Sequence, residues 1–485
     1  MRRSASRLVP DVRTMVFAVT ATIIIATTAT ILVAPSATHA TPGFARQTGL
    51  SCQACHTVFP ELTPFGRKFK LNAYVFTNVR QLAPITERST RELILSEVAP
   101  LSVQLQASHT LLAKALPDND PAVSDLSEKN TTQFPQALSL FYTGSISDKL
   151  GAFLQLTWNP TGNSVGIDNS DLRFADHAAF DSIGIPDFIY GLTLNNNPTS
   201  QDVWNSTPAW GFPFIVTNVG VPPVAKVLLD GQLAQESAGL GAYLFLFNHL
   251  YVEASGYRSA QTSFTNSTTG GPGPLDSTAP EARIAGPAAP YWRLTWEQDW
   301  DNHALSIGTF GIWAPTHPAS PAPGVPGVGE SGPTNKFTDL GVDVQYQFIG
   351  DNHIFSATAT WIHEKRHFNN FTLVDHTDNT LNTARITGSY FFRRMIGGSA
   401  QLFSTTGTRD HTLYAAGTSI LGTASGSPDT QGAVIELDFL PWLNTKLGAQ
   451  YTLYTKFNGR THNYDGAGRD ASGNNTLYIY VWTAF

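Results

Sequence analysis

A membrane-spanning antiparallel β-barrel of about sixteen strands, all-β apart from one small N-terminal segment, is the fold predicted by three features of this 485-residue chain. Apolar and polar residues alternate with period two over segments of roughly ten residues, the length of a tilted transmembrane strand. Tight turns and long loops alternate between those segments. Charged residues make up 14% of the chain, against about 25% in ordinary soluble domains, and aromatic residues, Gly, Asn, Ser and Thr fill the difference. A large soluble β-protein is the competing class.

Residues 1–40 read as an export signal. Arg2, Arg3, Arg7 and Arg13 precede an apolar run from Met15 to Ala34, which gives way to the small residues "PSATHA". Cleavage is expected near Ala40. The run also approaches the ~20 residues of an anchoring helix, but no stop-transfer charge cluster follows it. This stretch holds four of the 30 basic and one of the 37 acidic residues, so the remainder carries a formal charge of −10. Such acidity argues against a nucleic-acid partner. No later window offers the ~20 uninterrupted apolar residues of a helical span.

Residues 41–90 form the second segment, and it contains "SCQACHTVFPELTPFGRKFKLNAY". Cys52 and Cys55 are the only cysteines of the chain, and His56 follows directly. C-x-x-C-H is the attachment signature of c-type haem: two thiols at this spacing form thioethers with the two vinyl groups, and the histidine becomes an axial iron ligand. A disulfide would not call for the histidine. A thioredoxin-like site would need a βαβ surround, and a zinc site more ligands than residues 57–108 supply. Thr63 can cap a helix beginning at Pro64, with Phe65 and Phe69 on one face and Phe59 and Leu62 just before it. Arg67, Lys68 and Lys70 could pair with propionates or form a solvated basic face. The segment is too short for a core of its own, so it is expected to lean on the barrel as a plug at its periplasmic mouth.

Residues 91–485 form the barrel. Strands are read near 92–112, 136–147, 148–158, 168–179, 186–196, 236–247, 248–259 and 288–300, then near 301–313, 336–349, 351–365, 381–393, 395–407, 430–441, 443–457 and 474–485. In "FTDLGVDVQYQF", Leu340, Val342, Val344, Tyr346 and Phe348 face one side, while Asp339, Asp343, Gln345 and Gln347 face the other. In "WRLTWEQDW", Trp292, Leu294, Trp296 and Trp300 oppose Arg293, Thr295, Glu297 and Asp299. Short turns such as "FNH", "WDNH" and "RRMIGG" are expected on the periplasmic side, opposite long loops that include 113–135, 197–235 and 260–287. An even strand count puts both termini on the periplasmic side of an outer membrane. The last strand, "LYIYVWTAF", ends on an aromatic residue like the assembly signal of outer-membrane barrels.

No Met or His lies between His56 and His109, so a distal haem ligand of either type must come from the barrel. Met395, in the "RRMIGG" turn, is the first candidate, with His249, His303 and His353 in other periplasmic turns behind it. Otherwise the iron is five-coordinate or water-bound. "HEKRH" (His363, Glu364, His367) has one residue too many for H-E-x-x-H and lies on a strand rather than a helix.

The run "GFARQTGLSCQACHTVFPELTPFGRKFKLNAY" followed by a barrel resembles the fused monohaem cytochrome–porins in the outer membrane of iron-oxidising bacteria. Ala73 stands where that pattern has Gly. The resemblance implies one covalent haem c on Cys52 and Cys55 with His56 on the iron, and an iron(II):cytochrome oxidoreductase. Fe(II) would be the donor, and a periplasmic c-type cytochrome or blue copper protein the acceptor. Fe(II) would arrive from the loop side, where Asp118, Asp120, Asp125, Glu128, Asp375, His376 and Asp378 offer hard oxygen and nitrogen ligands or a merely solvated surface. A haem-bearing porin and an outward electron conduit are the alternatives.

Overall fold

The structure, a computed structural model, describes residues 43–76, 100–117, 129–160, 164–178, 188–259, 284–316, 334–369, 374–415, 419–442 and 444–485. The export signal and the acidic stretch Asp118–Glu128 lie outside the described residues.

Among the described residues, sixteen strands close into one antiparallel barrel. The first half runs β1 (Leu101–Leu112), β2 (Asn130–Ser145), β3 (Leu150–Asn159), β4 (Ser164–Ala178), β5 (Phe188–Asn195), β6 (Ser237–Leu246), β7 (Leu250–Ser259) and β8 (Ala289–Trp300). The second half runs β9 (His303–Thr316), β10 (Asn335–Ile349), β11 (His353–His367), β12 (Asp378–Phe392), β13 (Ile396–Gly407), β14 (Thr430–Trp442), β15 (Thr445–Lys456) and β16 (Thr476–Ala484). Each strand pairs with its neighbours in sequence, and β16 closes on β1 with Gln104 opposite Ala484 and His109 opposite Ile479.

The alternation of side chains decides which solvent this cylinder lives in. On β8, Trp292, Leu294, Trp296 and Trp300 stand exposed on the outside, while Arg293, Thr295 and Glu297 are buried within. On β10, Asp339, Asp343, Gln345 and Gln347 face inward behind an exposed row of Leu340, Val342 and Val344. Leu402 and Leu437 reach 64% and 66% exposure. A closed sheet that is apolar outside and polar inside is inverted for water and correct for lipid. The chain is an outer-membrane β-barrel. No helix among the described residues is long and apolar enough to cross a membrane.

One end carries the tight turns. Left-handed backbone at Phe247 and Asn248, and again at Arg393 and Arg394, marks two-residue hairpins whose twist matches the strands they join. An outward aromatic girdle sits at this end. His303 stacks on Trp300 at 5.4 Å and packs beside Phe348, and His353 packs against Phe392 at 5.3 Å.

Two segments fill the interior. The first contains α1 (Gly43–Thr48), α2 (Cys52–Cys55) and α3 (Pro64–Leu71), and it contacts the wall near the tight turns. The second is the β5–β6 connection, residues 196–236, which folds into the lumen instead of projecting outward and buries Val203, Trp204, Val227, Leu228, Leu229 and Leu233. Interior carboxylates capture its backbone: Leu228 N–H donates to Glu364 at 2.7 Å and Leu229 N–H to Asp339 at 2.8 Å. Glu297 Oε2 accepts from both insertions, from Arg67 Nε at 2.7 Å and from Trp204 Nε1 at 2.8 Å.

Replacing Glu297 by Leu leaves the Arg67 guanidinium buried without its anion, a loss of about 3–5 kcal/mol for a buried pair. Limited proteolysis of the folded variant is expected to cleave within residues 43–76 while the barrel stays resistant. Wild-type protection of that segment would contradict the anchoring role.

Candidate functional site

The C-x-x-C-H segment is built by local hydrogen bonding. Cys52–Cys55 forms one helical turn, and His56 leaves it in extended backbone, its N–H donating to Cys52 O at 2.9 Å. Thr63 then caps α3, accepting from Gly66 N–H at 3.0 Å, with Pro64 in the first turn. Its hydroxyl also donates to Ala54 O at 2.8 Å, which ties α3 back onto α2. Gly66 is required by this contact, because a Cβ there would lie 2.1 Å from Cys55 O. The end of α3 explains the Ala73 departure. Ala73 and Tyr74 both take left-handed φ, 55° and 59°, and Tyr74 N–H donates back to Phe69 O at 3.0 Å. A helix terminus of this kind favours glycine.

His56 is oriented by its surroundings. Its Nδ1 lies 3.2 Å from Pro60 O, which assigns the proton to Nδ1 and leaves Nε2 as the free ligand atom. Phe59 packs against its ring at 4.9 Å and itself stacks on Trp482 of β16 at 4.7 Å. Burial holds the imidazole pKa down to about 4, so the ring is neutral across ordinary pH. Burial also pushes the Cys55 thiol up to about 11 and raises Cys52. Such thiols are poor thiolate nucleophiles, unlike those of a dithiol redox catalyst.

Cys52, Cys55 and His56 share the wall of a cavity of about 1230 Å³, part of it open solvent. Phe44, Phe59, Leu62 and Phe69 line it from the N-terminal segment. Phe141, Phe153 and Trp482 line it from the barrel, and Asn205 and Trp210 from the inserted loop. Two thiols at the attachment spacing, an imidazole with a free Nε2 and a largely apolar enclosure with several aromatic rings fit a covalently held haem.

The other sequence expectations divide. Phe59, Leu62 and Phe69 line the cavity, whereas Phe65 turns away, 44% exposed, and packs on Phe76 at 5.6 Å. Of the three basic residues on α3, Arg67 is committed to Glu297 and Lys68 to Asp299 at 3.4 Å. Lys70 lines the cavity, its ammonium donating to Ser200 O at 2.5 Å, and burial lowers its pKa to about 8. Met395 is not brought to the cavity. It is 45% exposed in its turn, because the hairpin turns its neighbour Arg394 inward instead, and Arg394 donates to Gln53 O at 3.0 Å and His56 O at 3.2 Å. His249, His303 and His353 do not line the cavity either: His249 Nδ1 meets Glu297 O, His303 meets Tyr346 and His353 meets Tyr390. Among the described residues, His56 is the only His or Met on its wall.

On the loop side, Asp375 accepts from His411 N–H and Thr412, and Asp378 pairs with His367. Glu364 faces the lumen while His363 and His367 face outward, so "HEKRH" does not converge. No group of three or more His, Cys, Asp or Glu among the described residues is arranged to hold a metal ion. The inserted loop was the component least visible in the sequence. Its apolar "FPFIV" and "VLL" runs and its two tryptophans were the available signal.

A comparison with family models gives no match, and neither does a comparison with curated proteins. Among solved structures, the chain is similar to a loop-L8 deletion mutant of OmpT, an outer membrane protein of Vibrio cholerae (10% identity, TM-score 0.43, covering 79% of this chain and 98% of that one). It is also similar to the outer membrane channel DcaP of Acinetobacter baumannii (12%, 0.40, 79% and 96%) and to Salmonella typhi OmpF (10%, 0.41, 79% and 97%).

Expressed with a c-type maturation system, the wild type is expected to retain haem after denaturing electrophoresis, and a Cys52→Ala, Cys55→Ala double variant to lose it while the barrel still folds. Met395→Leu should leave the haem absorption spectrum unchanged. A shifted spectrum would return Met395 to the iron.

Proposed function

We propose that this chain is a haem-bearing outer-membrane barrel that takes single electrons from Fe(II) on the loop side and delivers them to a periplasmic c-type cytochrome or blue copper protein. The observation that carries the reading is the C-x-x-C-H turn on the wall of an aromatic cavity, beside the tight turns of the barrel. In this reading Cys52 and Cys55 would hold haem c through two thioethers, and neutral His56 would offer Nε2 to the iron. Phe59, Phe69 and Trp482, which line the cavity, would exclude water from the ring. Lys70 is the cation best placed for a propionate, since Arg67 and Lys68 are paired with barrel carboxylates. Bound there, haem would supply a one-electron couple, matching the single electron that separates Fe(II) from Fe(III).

The choice of donor is supported by the resemblance of residues 43–74 to cytochrome–porins and by solubility. Ferric iron precipitates near neutrality, so a cell gains by leaving it outside. The overall exchange balances as one Fe(II) and one oxidised carrier giving one Fe(III) and one reduced carrier.

Membranes holding oxidised protein, mixed with Fe(II) across a range of pH, are expected to show reduction of the haem absorption bands, and a soluble c-type cytochrome added afterwards should reoxidise them. No Fe(II)-dependent change at any pH would refute the oxidase. Solute conductance in a planar bilayer would then favour a haem-bearing porin, and haem reduction from the periplasmic side alone an outward conduit.

A further inference from the structure

We propose that a second cavity in the lumen is a docking chamber for a hydrated divalent cation, with Glu61 as its carboxylate. The proposal rests on the Fe(II) reading above and names where that donor approaches.

The chamber, of about 490 Å³, part of it open solvent, adjoins the first cavity. Residues 60–62 form part of the partition: Pro60 and Leu62 line the first cavity, and Glu61, pointing the other way, lines the chamber. Asn205 of the inserted loop lines both. Glu61 thus lies on the far side of the short turn whose Pro60 carbonyl orients His56.

The wall mixes hydroxyls, among them Ser206, Ser356, Thr358 and Thr360, with side-chain amides and the apolar Pro208, Pro213 and Phe214. Glu61 is 5% exposed. Its Oε2 accepts from Thr57 Oγ1 at 2.6 Å, and its Oε1 accepts from Gln345 Nε2 at 3.2 Å and from the Ser356 hydroxyl. All three donors are uncharged, and no Lys, Arg or His among the described residues forms an ion pair with Glu61. The other charge on the wall, Arg385, is neutralised by Asp230 through a bond of 2.7 Å. Just behind Ser206, Arg293 pairs with both Asp202 and Asp343, and Lys70 also acts on Asp202.

Glu61 thus has no cationic partner on this wall, and a buried carboxylate without one is costly. A cation offsets that cost, and the field inside a low-dielectric channel concentrates one there. Hard oxygen donors suit hard divalent cations such as Mg(II), Ca(II) and Mn(II), and Fe(II) shares their charge. One carboxylate among hydroxyls suits an ion that keeps most of its water, with the hydroxyls bonding the hydration shell.

A brace for the N-terminal segment is the competing role for Glu61, and cation binding separates the two. Mn(II), a redox-quiet probe, is titrated by electron paramagnetic resonance into haem-loaded, full-length protein in detergent. Glu61→Gln, which keeps the shape and an acceptor oxygen, is expected to weaken the tightest Mn(II) site at least about tenfold, and Glu61→Asp to retain it within about threefold. Should Glu61→Gln not fold, Thr358→Lys, which places an ammonium in the same chamber, is expected to weaken it at least about tenfold as well. Equal Mn(II) affinity in wild type and Glu61→Gln, or no Mn(II) binding in the wild type, overturns the proposal. Haem reduction by Fe(II) is then followed in both proteins. If the wild type is not reduced but Mn(II) binding depends on Glu61, the oxidase reading fails and the chamber stands. If Fe(II) reduces both at the same rate, the chamber fails and the oxidase stands.

Discussion

Glu297 is the point at which three parts of this molecule meet. It projects inward from β8, and its Oε2 receives the guanidinium of Arg67 from the N-terminal segment and the indole N–H of Trp204 from the inserted loop. Neither insertion has enough apolar surface to hold itself together, since segments this short cannot bury a sufficient core. Each borrows the inner wall of the barrel. A buried ion pair adds little net stability compared with packed apolar groups, but losing one partner is costly. The pairing therefore specifies where the segment sits more than how stable the barrel is.

The rest of the docking follows the same logic. A membrane barrel must turn its apolar side chains outward, so its lumen offers polar groups to anything that enters. The N-terminal segment meets them in kind. Tyr74 donates to Asp171 at 2.7 Å, Leu71 O accepts from Tyr243 at 2.7 Å, and Gln47 receives Ser145 N–H at 3.0 Å. Of its apolar residues, Val58, Leu71 and Ala73 pack against the wall, while Phe59 and Phe69 join Phe141, Phe153 and Trp482 around the cavity. A segment with no core of its own thereby shares an aromatic chamber with the wall, next to two thiols and a neutral imidazole.

Much of this architecture was legible in the sequence because a strand with lipid on one side and polar lumen on the other has strict two-residue periodicity. The rows of "FTDLGVDVQYQF" and "WRLTWEQDW" segregate in the structure as they do on the page. The C-x-x-C-H motif was visible because its residues are contiguous, and the Thr63–Pro64 helix start was legible because its cap is local. What was not legible depended on how turns and loops fold back. The "RRMIGG" turn reaches the N-terminal segment, but hairpin twist presents Arg394 rather than Met395. Phe65 and Phe69, four residues apart, both pack on Phe76 as their shared face implies, but only Phe69 also lines the cavity. The connection 196–236 carries no periodic signal, so its entry into the lumen emerges only from the interior carboxylates that capture its N–H groups.

The central claim is that the C-x-x-C-H turn places a haem inside the tight-turn end of the barrel. Nitroxide labels introduced as unnatural amino acids at Asp301, in a tight turn, and at Asp465, in a long loop, test it through relaxation enhancement by the ferric haem. The account predicts strong enhancement at position 301 and little at 465. Equal enhancement at the two positions, or the reverse order, would contradict it.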